Sequence, residues 1–508
     1  MPHHPPSSSS FSNPADNLPE AGGRRSGWVL RPAPKRAALA FAALSGLLLT
    51  LGTGGCVRYQ PKPINPSATA QDWTSRTLAD AGLHAFVAKA LPTSPALWPL
   101  PQWDLNHLTL AAIYEQPDLA VARAQWSVSR AARLTAAQRP NPTASPSLGY
   151  DSTKPPPWIP DISFDIPIET AGKRGDRMRQ ARADAEAARW DWIGQIWKVR
   201  TDVRTAFVNL HDARARAALL SRLVSAQTQL VHLLEGQLAA GEVSRADVTP
   251  ARIALDRDTL ALQQARQHET ETLGTLADAI GLPVDALRHV DLSFVGIDRL
   301  PPPPAENDIR RTVALNRADV RSALATYASS QAALQLEIAN QYPDIHLGPG
   351  YQLDQTDNKW TLGVSFPIPL MNRNQGPIAE ARARRRLAAA RFVAIQARAI
   401  NEASLALAGY RDSVAQVRTS AGLMHELAVQ LASARQRARA GDVDPLTVAS
   451  AEIEYDNAAS AHLDALLGAE QALGRLETAT ESPLILPARV LGQAETSTHP
   501  IAPFSHEP

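Results

Sequence analysis

Side chains that could carry out chemistry are sparse in this chain of 508 residues. The 13 histidines are scattered, and only His3 and His4 have metal-ligand spacing. The motifs of serine hydrolases (GxSxG), zinc proteases (HExxH) and nucleotide-binding loops (Walker A) do not occur in the sequence. A single cysteine excludes a disulfide framework and any cysteine-based zinc or iron–sulfur site. The sequence therefore predicts a protein that is not an enzyme and has no cofactor or resident metal. We expect His211, His232 and His425 on helix surfaces or interfaces.

The only cysteine, Cys56, lies in a context suited to lipid attachment. The first 36 residues are polar and basic, and Ala37 to Leu51 form an uncharged apolar run. Fifteen residues are too few to span a bilayer as a helix but match the core of a signal peptide. The small residues Gly52 to Gly55 then precede Cys56, as in a bacterial lipobox, where the cysteine is acylated. We expect residues 1–55 to be removed and Cys56 to be lipidated; an ordinary signal peptide with an incidental cysteine is the alternative.

Composition and charge point to long helices rather than to a nucleic-acid binder. The chain has 51 Lys and Arg against 50 Asp and Glu, so it lacks the basic footprint of a nucleic-acid-binding protein. It is rich in helix-forming residues, and Asp176 to Ala240 and Ile378 to Ala440 contain no proline. A helix of that length would span about 100 Å, deeper than any single globular domain.

The chain is an internal duplication with a period of about 200 residues, far longer than a solenoid unit. Pro117–Tyr150 aligns without a gap on Ala318–Tyr351, and a one-residue slip then brings Ile166 onto Phe366. The proline run at residues 301–304 forms a stiff, extended linker between the copies. The sequence therefore predicts a two-copy, pseudo-symmetric chain.

Each copy has the pattern helix, two strands, long helix, turn, helix. In the second copy we expect strands at Ile345–Leu353 and Trp360–Leu370, and in the first copy at Ser147–Asp151 and Ile162–Ile168. Strands of about ten residues with weak alternation and a turn between them are typical of a membrane β-hairpin. A small soluble hairpin that caps a helical bundle is the alternative.

The number of strands constrains assembly. Four strands cannot close a barrel, and an open sheet edge is not tolerated in lipid. Two chains would give eight strands, which enclose only side chains or a small ligand, whereas three chains would give twelve, which can surround a lumen. A lumen above helices of about 100 Å would be a conduit rather than a catalytic pocket.

Two duplicated motifs carry a resemblance to a known family. The first is a pair of helix-turn-helix tips, Ala240–Val248 and Ala440–Val448, and the second is the segment after each hairpin, Pro167–Gly175 and Pro367–Gly376. They make the chain, from residue 56 onward, similar to the TolC family of outer-membrane efflux factors, in particular its heavy-metal (CzcC-like) branch of RND efflux systems. Lys173 and the adjacent Arg174 could form a basic patch for anionic lipid, but we expect them to lie at the junction between the barrel and the long helix.

The resemblance implies a mainly α fold with a small β part. Long antiparallel coiled-coil helices would form a periplasmic α-barrel, and four strands per chain would contribute to a trimeric 12-strand outer-membrane β-barrel. The implied partners are two further copies of the chain, a periplasmic adaptor (membrane fusion) protein, an inner-membrane RND pump and outer-membrane lipid. The implied location is the outer membrane of a Gram-negative bacterium. The domain boundaries that we expect are 1–55 (signal peptide), 56–104 (extended segment), 105–296 (first efflux repeat), 297–305 (Pro-rich linker), 306–490 (second efflux repeat) and 491–508 (flexible tail).

The tips are the candidate docking site. Gly241 and Gly441 stand where a long helix must stop, a place that favours a residue tolerating the left-handed conformation. Asp247 lies near the start of the return helix, where an acid is favourable to the helix dipole. The resemblance implies that these residues, with Val243 and Val443, contact the adaptor; the alternative is that they only shape the turns.

A candidate periplasmic gate lies just after the second tip. Some members of the family close the entrance there with acidic residues, but Thr447 and Ser450 occupy the matching positions in this sequence. Asp442 and Asp444 are the nearest acidic substitutes.

The predicted function is that of a passive exit duct in a tripartite efflux system, conducting substrate from pump and adaptor to the exterior. A lipid-anchored periplasmic coiled-coil scaffold without transport activity is the alternative. Heavy-metal cations, small organic compounds and secreted polypeptides all remain open as cargo.

Overall fold

The computed structural model describes residues 58–91 and 97–483. The expected signal peptide, Cys56 and the expected tail 491–508 lie outside the described residues. From Ser67 onward the described chain belongs to one compact unit. The helices are α1 Pro66–Thr74, α2 Ala81–Ala90, α3 Leu105–Glu115, α4 Pro117–Ala137, α5 Lys173–Ala240, α6 Arg245–Ile280, α7 Glu306–Asn316, α8 Ala318–Ala339, α9 Gln375–Ala440 and α10 Pro445–Thr480. The strands are β1 Thr143–Tyr150, β2 Trp158–Ile168, β3 Ile345–Asp354 and β4 Asp357–Ser365.

The two copies have the same order of elements, as the duplication predicts. Helix α4, strands β1 and β2 and helices α5 and α6 make up the first copy, and α8, β3, β4, α9 and α10 make up the second. The long helices α5 and α9 have 68 and 66 residues, and the return helices have 36 each. At 1.5 Å per residue, α5 and α9 are each about 100 Å long. Within the described residues, no helix combines the length and the apolarity that a membrane-spanning helix requires.

The four strands form one antiparallel sheet in the order β1-β2-β3-β4, so the two copies meet where β2 pairs with β3. Strand residues alternate between the two faces. Apolar residues are therefore matched across all four strands on one face, as in Ala144↔Phe164, Ile162↔Tyr351 and Tyr351↔Trp360. The opposite face carries polar residues that include Asp161, Ser163, Asp165, His346, Gln352 and Lys359.

The strand boundaries differ from the expected ones. Strand β4 ends at Ser365, not at Leu370, because Pro367 and Pro369 have no N–H group to continue a ladder. It also begins earlier, at Asp357, because a two-residue turn with Gln355 at φ 63° joins it to β3. The first-copy strands are longer than expected, since pairing extends from Thr143↔Asp165 to Tyr150↔Trp158. In the segment 56–104, for which we expected extended chain, the structure has helices α1 and α2.

Each copy has its own apolar core. The larger core lies around α3, α5 and α6, and α2 adds Leu83 and Val87 to it. The second core joins α7, α9 and α10 around Tyr410, whose hydroxyl donates to the Pro301 carbonyl at 2.6 Å. Helix α4 packs on α5, α5 on α8 and α8 on α9, which sets these four helices side by side below the sheet in the same order as the strands. Helices α4 and α9 thus form the two edges of this layer.

A buried ion network joins the two copies where α5 crosses α10. Arg200 donates to Glu477 at 2.9 Å, and Arg204 donates to the carboxylate of Glu470 at 2.7 Å. Relative exposure is at most 3 % for all four residues. Burial raises the pKa of Glu470 to about 7, although the neighbouring Arg204 acts to lower it. Each ion pair therefore links a residue of the first copy to a residue of the second.

Candidate functional site

The first tip, residues 240–248, and the second tip, residues 440–448, end the long helices in the same way. Gly241 and Gly441 have φ of 78° and 83°, which confirms the expected left-handed conformation. In the first tip the Gly241 N–H donates to the Leu238 carbonyl at 3.1 Å, and the Glu242 N–H donates to the Gln237 carbonyl at 2.9 Å. The second tip repeats both bonds, at the same lengths, 200 residues further on. These are the bonds of a Schellman motif, which satisfies carbonyls that the helix end would otherwise leave unpaired.

The return helices begin with the same spacing but with exchanged residues. In the first tip Asp247 accepts from the Ser244 backbone N–H at 2.8 Å and from its hydroxyl at 2.7 Å, completing a capping box. In the second tip the acid comes first, and Asp444 accepts from the Thr447 N–H at 2.9 Å. Hydrogen bonds from Ser244 lower the pKa of Asp247, and those from Thr447 lower the pKa of Asp444. Both acids therefore stay ionised at the positive end of a helix dipole.

The other predicted tip and gate residues lie at the surface. Val243 and Val443 are half-buried rather than fully exposed, and Asp442, Thr447 and Ser450 are exposed. Because Asp444 and Thr447 bind each other, their observed contact is local to the helix start. The docking role of Gly241, Val243, Asp247, Gly441 and Val443, and the gating role of Asp442, Asp444, Thr447 and Ser450, remain predictions.

Close to each tip, one ion pair joins the long helix to its return helix, and neither pair was predicted from the sequence. Arg252 of α6 donates to Glu235 of α5 at 2.9 Å, and Arg435 of α9 donates to Glu452 of α10 at 2.6 Å. The pairs occupy equivalent positions, 200 residues apart, with the two charges exchanged between the helices. The 17-residue separation within each pair is the signal that could have identified them.

The junction between sheet and helices is a second polar cluster. Lys173 donates to Asp344 at 2.8 Å, the Thr170 N–H donates to the same carboxylate at 3.0 Å, and Arg174 donates to the Ala137 carbonyl at 2.7 Å. Desolvation acts to raise the pKa of Asp344, but the hydrogen bonds from Lys173 and Thr170 outweigh it and lower that pKa. Lys173 thus joins α5 to the residue before β3, and Arg174 joins α5 to the end of α4, at the junction where we expected both residues.

The histidines form no metal centre in the described residues. No group of three or more His, Cys, Asp or Glu side chains capable of holding a metal occurs within 58–91 and 97–483. His232 and His425 are exposed, as expected, and His211 is half-buried with its ring 5.0 Å from that of Phe294. On the polar face of the sheet, His346 of β3 lies 2.9 Å from Asp165 of β2.

The sequence of the chain is similar to those of CzcC and OpmQ. The chain is 28 % identical over 226 residues to the cobalt-zinc-cadmium resistance protein CzcC of Cupriavidus metallidurans, a match that covers 42 % of this chain and 50 % of CzcC. It is 24 % identical over 223 residues to the pyoverdine export outer membrane protein OpmQ of Pseudomonas aeruginosa, covering 42 % of this chain and 46 % of OpmQ. The chain thus spans about half the length of the curated relatives it matches.

Solved structures share the fold. The outer membrane protein VceC of Vibrio cholerae superimposes with a TM-score of 0.61 at 20 % identity, over 74 % of this chain and 96 % of VceC. This likeness confirms the predicted fold class of long helices with a small sheet. The sequence profile of the outer membrane efflux protein family matches residues 109–282 and 310–481, one stretch in each copy. Since these two stretches make up more than half of its length, the chain belongs to the outer membrane efflux protein family.

Proposed function

We propose that this protein is the outer-membrane exit duct of a tripartite, RND-type efflux system and works as a homotrimer. The observation that carries the proposal is the four-stranded sheet, which has one continuous apolar face and stands on helices of about 100 Å. An apolar face of this kind suits contact with lipid, and the polar face suits a water-filled lumen. A periplasmic scaffold would have no use for such a sheet.

Closure of the sheet requires further copies of the chain. Strands β1 and β4 are the outer strands of the described sheet, and each presents one edge that the chain itself does not pair. Lipid does not tolerate such edges, so β1 of one copy would pair with β4 of the next. Three copies give twelve strands, which are enough to leave a lumen. Native mass spectrometry of the purified protein in detergent should therefore detect a trimer, and a stable, fully helical monomer would contradict the closure argument.

The matched relatives support the cargo class. CzcC is named for resistance to cobalt, zinc and cadmium, and it matches this chain over more residues and at higher identity than OpmQ. We take divalent heavy-metal cations as the cargo. A duct conducts best when its binding sites are weak, so the polar face of the sheet, with Asp161, Asp165 and His346, would offer only brief contacts to a passing cation.

The tips would dock the periplasmic adaptor. They lie at the end of α5 and α9 opposite the sheet, and a trimer would present six of them in a ring. A ring of equivalent contacts gains affinity by avidity even when each contact is weak. Anchoring by acylated Cys56 would hold the amino terminus at the membrane while the barrel supplies insertion.

Substitution of both tip glycines tests the proposed docking. A side chain at a left-handed residue costs about 1–2 kcal/mol, while a Cβ on Gly241 or Gly441 meets no described atom within 4 Å. The variant Gly241→Val/Gly441→Val should therefore distort both turns without a clash, leave trimer levels in the outer membrane normal, and abolish efflux. Its matched control is Gly236→Val/Gly422→Val. These glycines lie in the same two helices, also have open space around a Cβ, and have no positive φ.

Efflux should be measured as resistance and as cell-associated metal in cells that express the cognate pump and adaptor. The control variant should export normally, because valine is accepted in a helix as readily as glycine. Normal export by the tip variant would show that the tips are not the docking surface. Equal loss of export in both variants would show a general effect on the long helices.

A further inference from the structure

A groove lined by arginines lies between α4 and α5 in the first copy. The groove has a volume of about 550 Å³ and lies at the end of α4 nearest the sheet. Arg130, Arg133 and Arg182 line it together with the apolar side chains of Leu134 and Met178. All three arginines are exposed to solvent. The pocket is therefore accessible, cationic and partly apolar at once.

The second copy has a buried apolar contact at the positions that correspond to Arg133 and Met178. In the gapless alignment of the copies Arg133 corresponds to Leu334, and after the one-residue slip Met178 corresponds to Ile378. Leu334, Ile378 and Ala381 form a buried apolar cluster, with relative exposures of 6 %, 7 % and 7 %. The same fold thus accommodates a closed apolar contact here. In the first copy a cationic opening stands in place of that contact.

The positive charges of the groove are not balanced by the protein. Within the described chain no carboxylate pairs with Arg133 or Arg182, and Arg130 lies over the Trp126 ring at 5.3 Å. The neighbouring basic residues are already engaged, Lys173 with Asp344 and Arg177 with Glu169. Three arginines that share one groove without an acid attract an anion, and arginine matches the oxygens of a phosphate group especially well.

The position of the groove indicates where such an anion would come from. Helix α4 ends at Ala137, six residues before β1 begins at Thr143, and Met178 and Arg182 lie five and nine residues after α5 begins at Lys173. At 1.5 Å per residue these two residues are about 8 and 14 Å along α5 from its first residue, which follows the end of β2 at Ile168 closely. The phosphate layer of a bilayer lies just outside its hydrocarbon core. A sheet whose apolar face spans that core would bring the groove to the inner headgroup layer.

We propose that the groove binds the phosphate headgroup of an anionic phospholipid from the inner leaflet of the outer membrane. This inference rests on the proposed function, because it requires the sheet to lie in that membrane. Arg130, Arg133 and Arg182 bind the phosphate oxygens, and Leu134 and Met178 contact the glycerol and the first methylenes of the acyl chains. One lipid per chain would seat the base of the sheet at a fixed depth.

Lipid titration of the purified, delipidated full chain tests this proposal. Native mass spectrometry with phosphatidylglycerol should show one tightly retained lipid per chain. The variant Arg130→Gln/Arg133→Leu/Arg182→Gln, which introduces the second-copy residue at position 133, should bind it at least tenfold more weakly. Phosphatidylethanolamine, whose ammonium group offsets the phosphate charge, should bind more weakly than phosphatidylglycerol to the wild-type protein.

A charge-matched control separates the groove from general electrostatic attraction. Arg382→Gln/Arg385→Gln/Arg386→Gln removes three positive charges from the first turns of α9, and none of these three residues lines the groove. This variant should retain lipid binding. Equal loss in both triple variants, or unchanged binding in the groove variant, would overturn the proposal. Complete displacement of lipid by millimolar inorganic phosphate would identify a free-anion site instead, and loss of trimer in the groove variant alone would identify a subunit interface. Efflux is measured separately, so a failed lipid test leaves the duct function standing.

Discussion

Removal of the Glu477 carboxylate should destabilise the protein far more than removal of an exposed one. Glu477 is fully buried; its carboxylate accepts from Arg200 at 2.9 Å and lies 3.3 Å from Arg204 Nε. The substitution Glu477→Gln keeps the shape of the side chain and removes its charge. Arg200 and Arg204 would then share the single carboxylate of Glu470 inside the protein.

The charge balance of this network determines how far Glu477→Gln should lower the free energy of unfolding. Two arginines and two glutamates sum to zero, so Glu477→Gln leaves one uncompensated positive charge at a buried position. Breaking a buried pair in this way costs about 3–5 kcal/mol. Replacing the pair by apolar residues avoids the orphaned charge and is often neutral or stabilising. Arg200→Met/Glu477→Leu should therefore lower the free energy of unfolding by less than half as much as Glu477→Gln.

Urea unfolding of the full chain in detergent, followed by the circular dichroism of its helices, measures these differences. The assay should run at pH 8, above the pKa of about 7 that burial gives Glu470. Asp202→Asn is the matched control, because it also removes one negative charge, in this case from an exposed pair with Lys198 on α5. Exposed pairs of this spacing contribute about 0.3–0.5 kcal/mol. A Glu477→Gln variant no less stable than Asp202→Asn would refute the argument that the network is a buried electrostatic clasp.

Three further outcomes follow from the same network and from the amino terminus. The variant Gly474→Ala should lower the free energy of unfolding by about 1–3 kcal/mol through overpacking, because the new Cβ would lie 2.7 Å from Arg204 Nη1. The control variant Gly468→Ala lies in the same helix, and its Cβ meets no described atom within 4 Å. It should raise the free energy of unfolding by about 0.5–1 kcal/mol. Burial raises the pKa of Glu470 from 4.5 to about 7. Protonation of Glu470 therefore stabilises the folded chain fully below pH 4.5, and this contribution is lost as the pH rises through 7. In the variant Glu470→Gln, the thermal midpoint should fall less between pH 4.5 and 7 than it does in the wild-type protein. Mass spectrometry of membrane-extracted protein should find an acylated amino terminus at Cys56, and an unmodified terminus elsewhere would contradict it.

Much of the fold could be predicted because it depends on local signals repeated twice. The absence of proline predicted the two long helices, and Gly241 and Gly441 predicted where they end. The strands were harder, since their bounds depend on which residues the neighbouring strand can reach. The expected end at Leu370 was wrong because Pro367 and Pro369 follow the last pair, His346↔Ser365.

The contacts between distant parts of the chain could not be predicted from the sequence. Arg200 and Glu477 are 277 residues apart, and nothing in their local sequence marks them as partners. The groove could not be found either, because a run of arginines on a helix is ordinarily a solvated face. The packing of α4 on α5, and the burial of the corresponding Leu334 in the second copy, distinguish Arg133 from the other exposed arginines.

The duplication separates positions that maintain the fold from positions that have acquired a different task. One contact between the long and return helices is kept in both copies although its partners are exchanged. The ion pair near the tip joins Glu235 to Arg252 in the first copy and Arg435 to Glu452 in the second, so the two charges are exchanged while the ion pair remains. The groove at Arg133 follows a different pattern, because Leu334 makes a buried apolar contact whereas Arg133 at the corresponding position lines an open groove. A contact present in one copy and absent from the other is the pattern that we expect of a surface whose partner lies outside the protomer, and this expectation underlies the proposed lipid site at the base of the sheet.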